Sequence, residues 1–446
     1  MYDVVIVGAG TSGAYTAYRL AKAGLKTAII EMKPREKIGE KVCGDAIGEH
    51  YFETLEIDPP KLGVDAEGIF EGVKVYSPSK KYFLTVRGKG YALNRKNFGQ
   101  RLLKMALDSG AELYDKHTVV APLIKENAVK GVKARELGKG VREFNAKVVI
   151  DASGSGAVVR TKLPREWWVS YKVPKEDIVM AYREIVEVTE NPDEKYAIIY
   201  LDTELAPGGY WWWFPKSPNI ANIGIGVQIK PGNPNPRIQY EKRIRPIIGK
   251  RYVKTLHAGG GLVPTRRMIP CMVWNGFIAI GDAACTANPI HGGGIGSSLL
   301  SGLAAIQTIL EATEKGDYSI RGLWKHHHRY IEFYGAKQAS LDVLRYLLQK
   351  FSNDDLEYVF EKSIISGDEL YDMGTYGRLT SKVVSRARVA LKLLSRPSML
   401  KMLKDTKDLM DEAKELYRKY PENPDDYPAW REREKELYKR VRERFL

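Results

Sequence analysis

The chain has 446 residues, 44% of them hydrophobic, and a formal net charge of +15 from 70 basic and 55 acidic side chains. That length buries a large core and suits two or three domains. Three cysteines (Cys43, Cys271 and Cys285) exclude a disulfide framework and point to a reducing cytoplasm, and no apolar run reaches the roughly 18–20 residues that span a bilayer.

Tyr2 to Val7 reads as a buried parallel strand, Ala14 to Ala23 as a small-residue helix and Leu25 to Glu31 as the next strand. With a strand opening the chain, no signal peptide is expected. Between strand and helix lies Gly8-Ala9-Gly10-Thr11-Ser12-Gly13, a turn whose backbone N–H groups can approach a pyrophosphate. Alone this pattern is weak, because NAD, FAD and chance all produce it. Glu31 falls about 20 residues past the turn, where an acid binds the adenosine ribose and repels the 2′-phosphate of NADP.

A strand-rich excursion follows from Gly68 to Val86, with a turn at Ser77-Pro78-Ser79-Lys80. Asn94 to Ser109 reads as a helix with Phe98, Leu102, Leu103 and Ala106 on one face, and its Arg95 or Arg101 could pair with a pyrophosphate. Val119-Val120 and the strand Lys147 to Ile150 continue the first domain, which closes at Asp151-Ala152-Ser153-Gly154.

A second, mostly β segment spans about 165 to 263 and contains Pro207-Gly208-Gly209-Tyr210-Trp211-Trp212-Trp213-Phe214-Pro215. In a strand Tyr210, Trp212 and Phe214 share one face, and Trp211 and Trp213 the other. Such a stripe serves either core packing or a long apolar wall for a hydrocarbon ligand. The chain then returns to the first domain from Leu262 to about 315, through Phe277 to Asp282, Pro289 and His291-Gly292-Gly293-Gly294-Ile295-Gly296. The apolar run Leu299 to Leu310 is the helix after that turn.

Everything past Gly322 looks helical. His326-His327-His328 reads as a solvated helix rather than a metal site, because consecutive helical residues point apart. From Arg378 to Lys404 eight basic residues and no acid are interleaved with Leu and Val, with Pro397 as a break. That pattern suits either a basic amphipathic helix on an anionic membrane or a packed helix with a solvated basic face. No nucleic-acid module accompanies the charge, so no nucleic-acid partner is expected.

Gly281-Asp282 before a second Gly-rich helix start turns the dinucleotide reading to FAD. The Asp can accept from ribityl hydroxyls, and the N–H groups opening the helix can face the flavin's pyrimidine edge. Two Gly-rich sites far apart in the chain suit one long dinucleotide.

Pro207, Tyr210, Trp212, Phe214 and Pro215 form a P-x-x-Y-x-W-x-F-P pattern. With Lys41-Val42-Cys43-Gly44-Asp45-Ala46 and Gly281-Asp282 plus His291 to Gly294, it resembles the geranylgeranyl reductase family. Gly259-Gly260-Gly261-Leu262-Val263-Pro264-Thr265-Arg266-Arg267 looks like the archaeal digeranylgeranylglycerophospholipid reductase branch. The resemblance implies an α/β (α+β) fold of the p-hydroxybenzoate hydroxylase type. A discontinuous Rossmann-like FAD-binding domain would comprise 1–67, 87–164 and 262–321. A β-sheet-rich substrate domain would comprise 68–86 and 165–261, and a C-terminal helical region 322–446.

It also implies that reduced FAD saturates C=C bonds of geranylgeranyl chains, in lipid precursors or in geranylgeranyl diphosphate. Gly8, Gly10, Ser12, Gly13, Glu31, Cys43, Gly44, Ala46, Arg95 or Arg101, Val119, Asp282, Gly294 and Ile295 would contact the cofactor. Tyr210, Trp212 and Phe214 would line a prenyl tunnel. Cys43 is the first candidate proton donor, with Tyr210, His291 and water as others, and no metal is expected. An isolated alkene needs both hydride and proton, and aromatic faces would steady the positive charge between them.

Two other readings compete: a monooxygenase or halogenase on the same scaffold, and a non-catalytic flavin-holding protein at a membrane surface. The chain lacks a halogenase-type W-x-W-x-I-P motif. No second dinucleotide fingerprint appears, so the electron donor is either a reduced ferredoxin-like protein or NAD(P)H. The expected setting is cytoplasmic, peripheral at the inner face of an anionic membrane that holds a prenylated lipid substrate.

Overall fold

The computed structural model describes residues 1–136, 138–377 and 392–446. Strand β1 (Tyr2–Val7) has Val4, Val5 and Ile6 fully buried, as expected of a central parallel strand. It lies between β2 (Thr27–Ile30) and β9 (Gly140–Asp151), parallel to both. Strands β6 (Glu112–Tyr114) and β16 (Phe277–Ala279) extend the parallel order outward, and β15 (Val273–Trp274) closes one edge antiparallel. A hairpin of β7 (His117–Lys125) and β8 (Ala128–Glu136) pairs onto β9. Strand order reverses at β1, so the carboxyl ends of β1, β2, β9 and β16 open on the crevice where sheets of this kind bind ligands.

The second sheet runs β14 (Tyr252–Pro264), β10 (Ile178–Val188), β13 (Ile220–Gln228), β12 (Tyr210–Ser217), β11 (Tyr196–Tyr200), β4 (Ala66–Tyr76), β5 (Phe83–Leu93), β3 (Ala46–Gly48). Its members reach further than the excursion expected over 68–86. The hairpin extends to Ala66 and Leu93, both buried, and β3 joins it straight from the Cys43–Asp45 turn. Leu262 and Val263 pair with β10, so the return to the first sheet begins after Pro264, which cannot donate to the ladder.

The aromatic strand β12 divides its faces as its alternation predicts. Trp211 and Trp213 are buried with Ile223, Tyr240 and Ile244 beneath the helical segment 236–251. Trp212 and Phe214 pack with Phe70, Ala92 and Ala197 on the opposite face.

Helix α1 (Thr11–Lys22) packs against α2 (Arg95–Asp108) and α3 (Ile295–Lys315). The side chain of Asn94 caps α2 by accepting from the N–H of Asn97. Helix α3 corrects one expectation: it is long and apolar enough to cross a membrane. It is buried along most of its length in the fold, with Gly302 so close to α1 that an added Cβ would lie 2.6 Å from Thr16 Oγ1.

The C-terminal layer comprises α4 (Ala336–Lys350), α5 (Pro397–Arg418) and α6 (Tyr427–Phe445) with shorter helices before them. A buried ionic cluster ties it to the β domains. Arg267 meets Asp342 at 2.8 Å and Glu434 at 2.6 Å, while Asp177 receives Arg266 at 3.1 Å and Arg345 at 2.8 Å.

His326 and His327 are fully buried, which overturns the solvated-helix reading. His327 Nε2 accepts from the Met272 N–H, so the ring is neutral, and no metal-binding group of His, Cys, Asp and Glu occurs among the described residues. Of the basic stretch Arg378 to Lys404, residues 378–391, including Arg386 and Arg388, lie outside the described residues. Beyond them Lys392 accepts from Tyr358 through its carbonyl, Arg396 pairs with Asp355 at 2.8 Å, and Met399 and Leu403 are buried. Pro397 starts α5 rather than breaking a helix, since the first turn needs no donor there.

Candidate active site

The Gly turn after β1 is shaped by contacts on two of its three glycines. Gly8 has φ +104°, and an added Cβ would lie 2.6 Å from the Ala152 carbonyl oxygen. At Gly13 a Cβ would lie 2.0 Å from the Gly8 oxygen, so helix and strand touch through backbone. At Gly10 an added Cβ meets nothing within 4 Å, and α1 starts there with no side chain capping its N–H groups. Buried Glu31 ends β2 beside this turn and accepts from the N–H groups of Ala9 at 2.7 Å and Lys33 at 2.9 Å.

Arg95 donates through Nη2 to Thr11 Oγ1 at 2.9 Å, while its Nε and Nη1 are buried without a partner. Buried guanidinium donors left unused at an uncapped helix N-terminus fit an anion. Arg101 is placed elsewhere. It donates to the carbonyls of Asp58 at 3.0 Å and Pro59 at 3.3 Å and pairs with Asp65 at 3.1 Å, closing the loop under α2. Val119, buried in β7, lies two residues beyond His117, whose N–H bonds the Glu31 carbonyl at 2.9 Å.

The second Gly turn meets the first. Gly281, at φ +62°, comes so near buried Ser12 that an added Cβ would lie 2.9 Å from its Oγ. The Asp282 carboxylate pairs with Lys41 at 3.1 Å, which holds the Lys41 pKa above its ordinary value. Gly294 N-caps α3 with no side-chain bond, Ile295 is the first helical residue, and a Cβ on Gly294 would sit 3.4 Å from Asp282 Oδ1. Two uncapped helix starts, two strand-end carboxylates and the orphaned Arg95 donors thus line one crevice. These groups suit a pyrophosphate between two polyol arms, as in FAD.

The Cys43 turn joins this crevice to the second sheet. The Cys43 carbonyl accepts from Asn222 Nδ2 at 2.7 Å and Arg183 Nε at 3.3 Å. Asp45, at φ +63°, accepts from Asn222 and Lys216, each at 3.0 Å, and Trp212 Nε1 donates to Asn222 Oδ1 at 2.9 Å. A Cβ on Gly44 would lie 3.1 Å from the Phe214 ring, and Ala46 opens β3. The Tyr210 hydroxyl donates to the His291 carbonyl at 2.6 Å, docking the aromatic face on the second Gly turn. Burial raises the Tyr210 pKa, and nearby Cys43 adds to the rise. The surrounding fold and the charge of Lys337 lower the pKa of His291, whose side chain still reaches solvent.

Asn222, Arg183 and Lys216 hold this turn and were absent from the sequence reading. Their signal was polarity out of place: Lys216 closes an aromatic run, and Asn222 sits inside Ile220 to Ile225.

A family model for FAD dependent oxidoreductases matches residues 3–163, and with this crevice it defines the chain as an FAD-dependent oxidoreductase. A second model, the geranylgeranyl reductase catalytic domain, matches residues 177–263. The digeranylgeranylglycerophospholipid reductase of Sulfolobus acidocaldarius is 41% identical over 436 residues, covering 96% of each chain, and that of Methanothrix thermoacetophila is 29% identical over 84% of this chain and 94% of its own. The chain belongs to the geranylgeranyl reductase family. Among solved structures, a geranylgeranyl bacteriochlorophyll reductase-like protein from Thermoplasma acidophilum superposes with a TM-score of 0.76 at 26% identity, covering 91% of this chain and 99% of that one. A myxobacterial chondrochloren halogenase, at a TM-score of 0.64 and 18% identity over 88% and 96% of the two chains, shares the fold alone.

Proposed function

We propose that this protein saturates the geranylgeranyl chains of digeranylgeranylglycerophospholipids, precursors of archaeal-type membrane lipids. The observation that carries the reading is the Tyr210–His291 hydrogen bond, which sets the aromatic face against the second Gly turn. Bound and reduced, FAD supplies the hydride. In this reading Gly8, Gly10, Ser12, Gly13 and Arg95 hold the pyrophosphate, and Glu31, beside Val119, holds the adenosine end. Asp282 takes the ribityl hydroxyls, Gly294 and Ile295 present N–H groups to the pyrimidine edge, and Cys43, Gly44 and Ala46 flank the ring.

A trisubstituted alkene that takes a proton at its less substituted carbon carries positive charge at the tertiary carbon until hydride is delivered there. The ring faces of Tyr210 and Trp212 attract that charge, and a dry wall completed by Phe214 keeps water from trapping it. Cys43 donates the proton, with its turn held in place by Asn222 and Arg183. A reduced ferredoxin-like protein docks on the basic surface and would supply the electrons that reduce bound FAD, and the chain meets its substrate at an anionic bilayer.

The test is anaerobic. FAD-loaded enzyme is photoreduced and mixed with anionic vesicles carrying digeranylgeranylglycerophospholipid. One double bond should disappear per flavin reoxidised, and vesicle association should weaken with salt. Reduced ferredoxin rather than NADPH should then sustain turnover. Reduced flavin that persists beside the lipid would overturn the reading.

A further inference from the structure

Asp282 exposes 13% of its side chain at the second Gly turn, and Lys41 is its one ion-pair partner among the described residues. The pair joins the segment of the Cys43 turn to a residue 241 positions away. Lys41 Nζ lies 3.1 Å from Oδ2, while Oδ1 is the oxygen turned toward Gly294, where α3 begins. The ammonium thus takes one carboxylate oxygen and leaves the other facing the helix start. Arg95, at the first Gly turn, bonds Thr11 and does not pair with Asp282.

The segment that carries Lys41 crosses from the first domain to the second sheet and is fixed on both sides. Before it, Gly39 has φ +97° and lies against α2, where a Cβ on Gly99 would come within 2.4 Å of the Gly39 Cα. Glu40 pairs with Lys96 of that helix at 3.1 Å. After it, Val42 packs on β14, since a Cβ on Gly259 would lie 2.6 Å from Val42 Cγ2, and the Cys43 carbonyl takes the Asn222 and Arg183 donors. With the backbone held at 39–40 and 42–43, the fold sets the place of the Lys41 side chain beside Asp282.

A bare carboxylate opposes a ring that becomes negative. FAD that takes up two electrons and one proton carries a negative charge on its pyrimidine edge, which in the proposed reading meets the N–H groups opening α3, beside Asp282. Left uncompensated, the carboxylate repels that charge and cancels much of what the helix start gains. The Lys41 ammonium neutralises it while Oδ1 stays free to accept from a ribityl hydroxyl.

We infer that Lys41 is a positioning residue for the flavin, which holds the Asp282 carboxylate in one orientation and offsets its charge, so that one site binds both the ribityl chain and the reduced ring. The inference rests on the assignment of Asp282 to the ribityl chain, and not on the identity of the lipid.

The experiment needs no lipid. At saturating FAD, the parent, Lys41→Met, Lys41→Arg, Asp282→Asn and the double variant Lys41→Met/Asp282→Asn are titrated anaerobically with dithionite against a reference dye. Lys41→Met should bind reduced FAD about tenfold more weakly relative to oxidised FAD, the size of one uncompensated charge in a partly exposed site. That ratio lowers the two-electron potential by about 30 mV. Lys41→Arg should keep the parental potential. Asp282→Asn leaves the ammonium alone and should raise it, and the double variant should return close to the parent. A merely structural role for Lys41 does not give shifts of opposite sign that cancel. A parental potential in Lys41→Met would overturn the inference. So would equal falls in Lys41→Met and the double variant, because the lysine would then not act through Asp282. If Asp282→Asn matches the parent in both FAD affinity and potential, the ribityl assignment fails and this inference with it. The shifts are expected whichever lipid the enzyme reduces, so a failure of the substrate reading is seen separately.

Discussion

Asp282 stands between Lys41 and the uncapped start of α3, with Gly294 leaving room at its carboxylate. Replacing it with Ala removes an ionised acceptor worth about 1.5–3 kcal/mol, so FAD should bind roughly 10- to 150-fold more weakly. Titration of apoprotein with FAD measures this, and parental affinity would remove Asp282 from the cofactor site. Arg95 and Arg101 illustrate what a single residue's neighbours decide. Both were legible as basic residues on one helix, but six positions turn the helix by about 240°, so they cannot face the same ligand. The orphaned Nε and Nη1 of Arg95 pick out the one at the Gly turn.

At the scale of elements, β12 and β13 do more than build a wall. Asn222 on β13 receives Trp212 of β12 and donates to the Cys43 carbonyl and to Asp45, so one amide couples the aromatic face to the turn that carries the thiol. Asn222→Ala leaves these buried groups unpaired, at about 1–3 kcal/mol each. We expect a lower unfolding midpoint, retained FAD and turnover reduced at least tenfold. A folded variant with parental turnover would mean that the Cys43 turn is held without this amide. The aromatic alternation was readable in the sequence, since period two needs no tertiary information. The amide network was not, because its members lie 179 and 10 residues apart and meet only when the sheet forms.

For the whole molecule, acid is the informative stress. Burial lowers the pKa of His326 to about 3 and that of His327 well below its ordinary value. A histidine depressed in the folded state contributes stability that is complete above the unfolded pKa of about 6.5 and is lost as pH falls, by about 1.4 kcal/mol per pH unit for each ring. Asp342 and Glu434, held down by Arg345 and Arg267, also favour the fold above their unfolded pKa, and their contribution declines only below about pH 4. Between pH 7 and pH 5 the parent should therefore lose about 2 kcal/mol per buried histidine, read as a fall in unfolding midpoint. His326→Phe should show about half of that loss, and a midpoint unchanged from pH 7 to pH 5 in the parent would refute buried neutral rings.

What the sequence alone determined is local or periodic. The β1–turn–α1 unit, Glu31 at the end of the next strand, Gly281-Asp282 before α3 and the two-faced aromatic strand follow from glycine geometry, strand alternation and helix starts. Each acts within a few residues or at a set spacing, so chain order suffices to see it. The family was legible for the same reason, through motifs kept in order. Only the tertiary structure decided which sheet takes β3 and the ends of the 66–93 hairpin. It also buried His326 and His327 and turned a membrane-length helix into a core helix. Burial and counter-ions depend on what folds over a residue from far along the chain, and neither composition nor spacing carries that information.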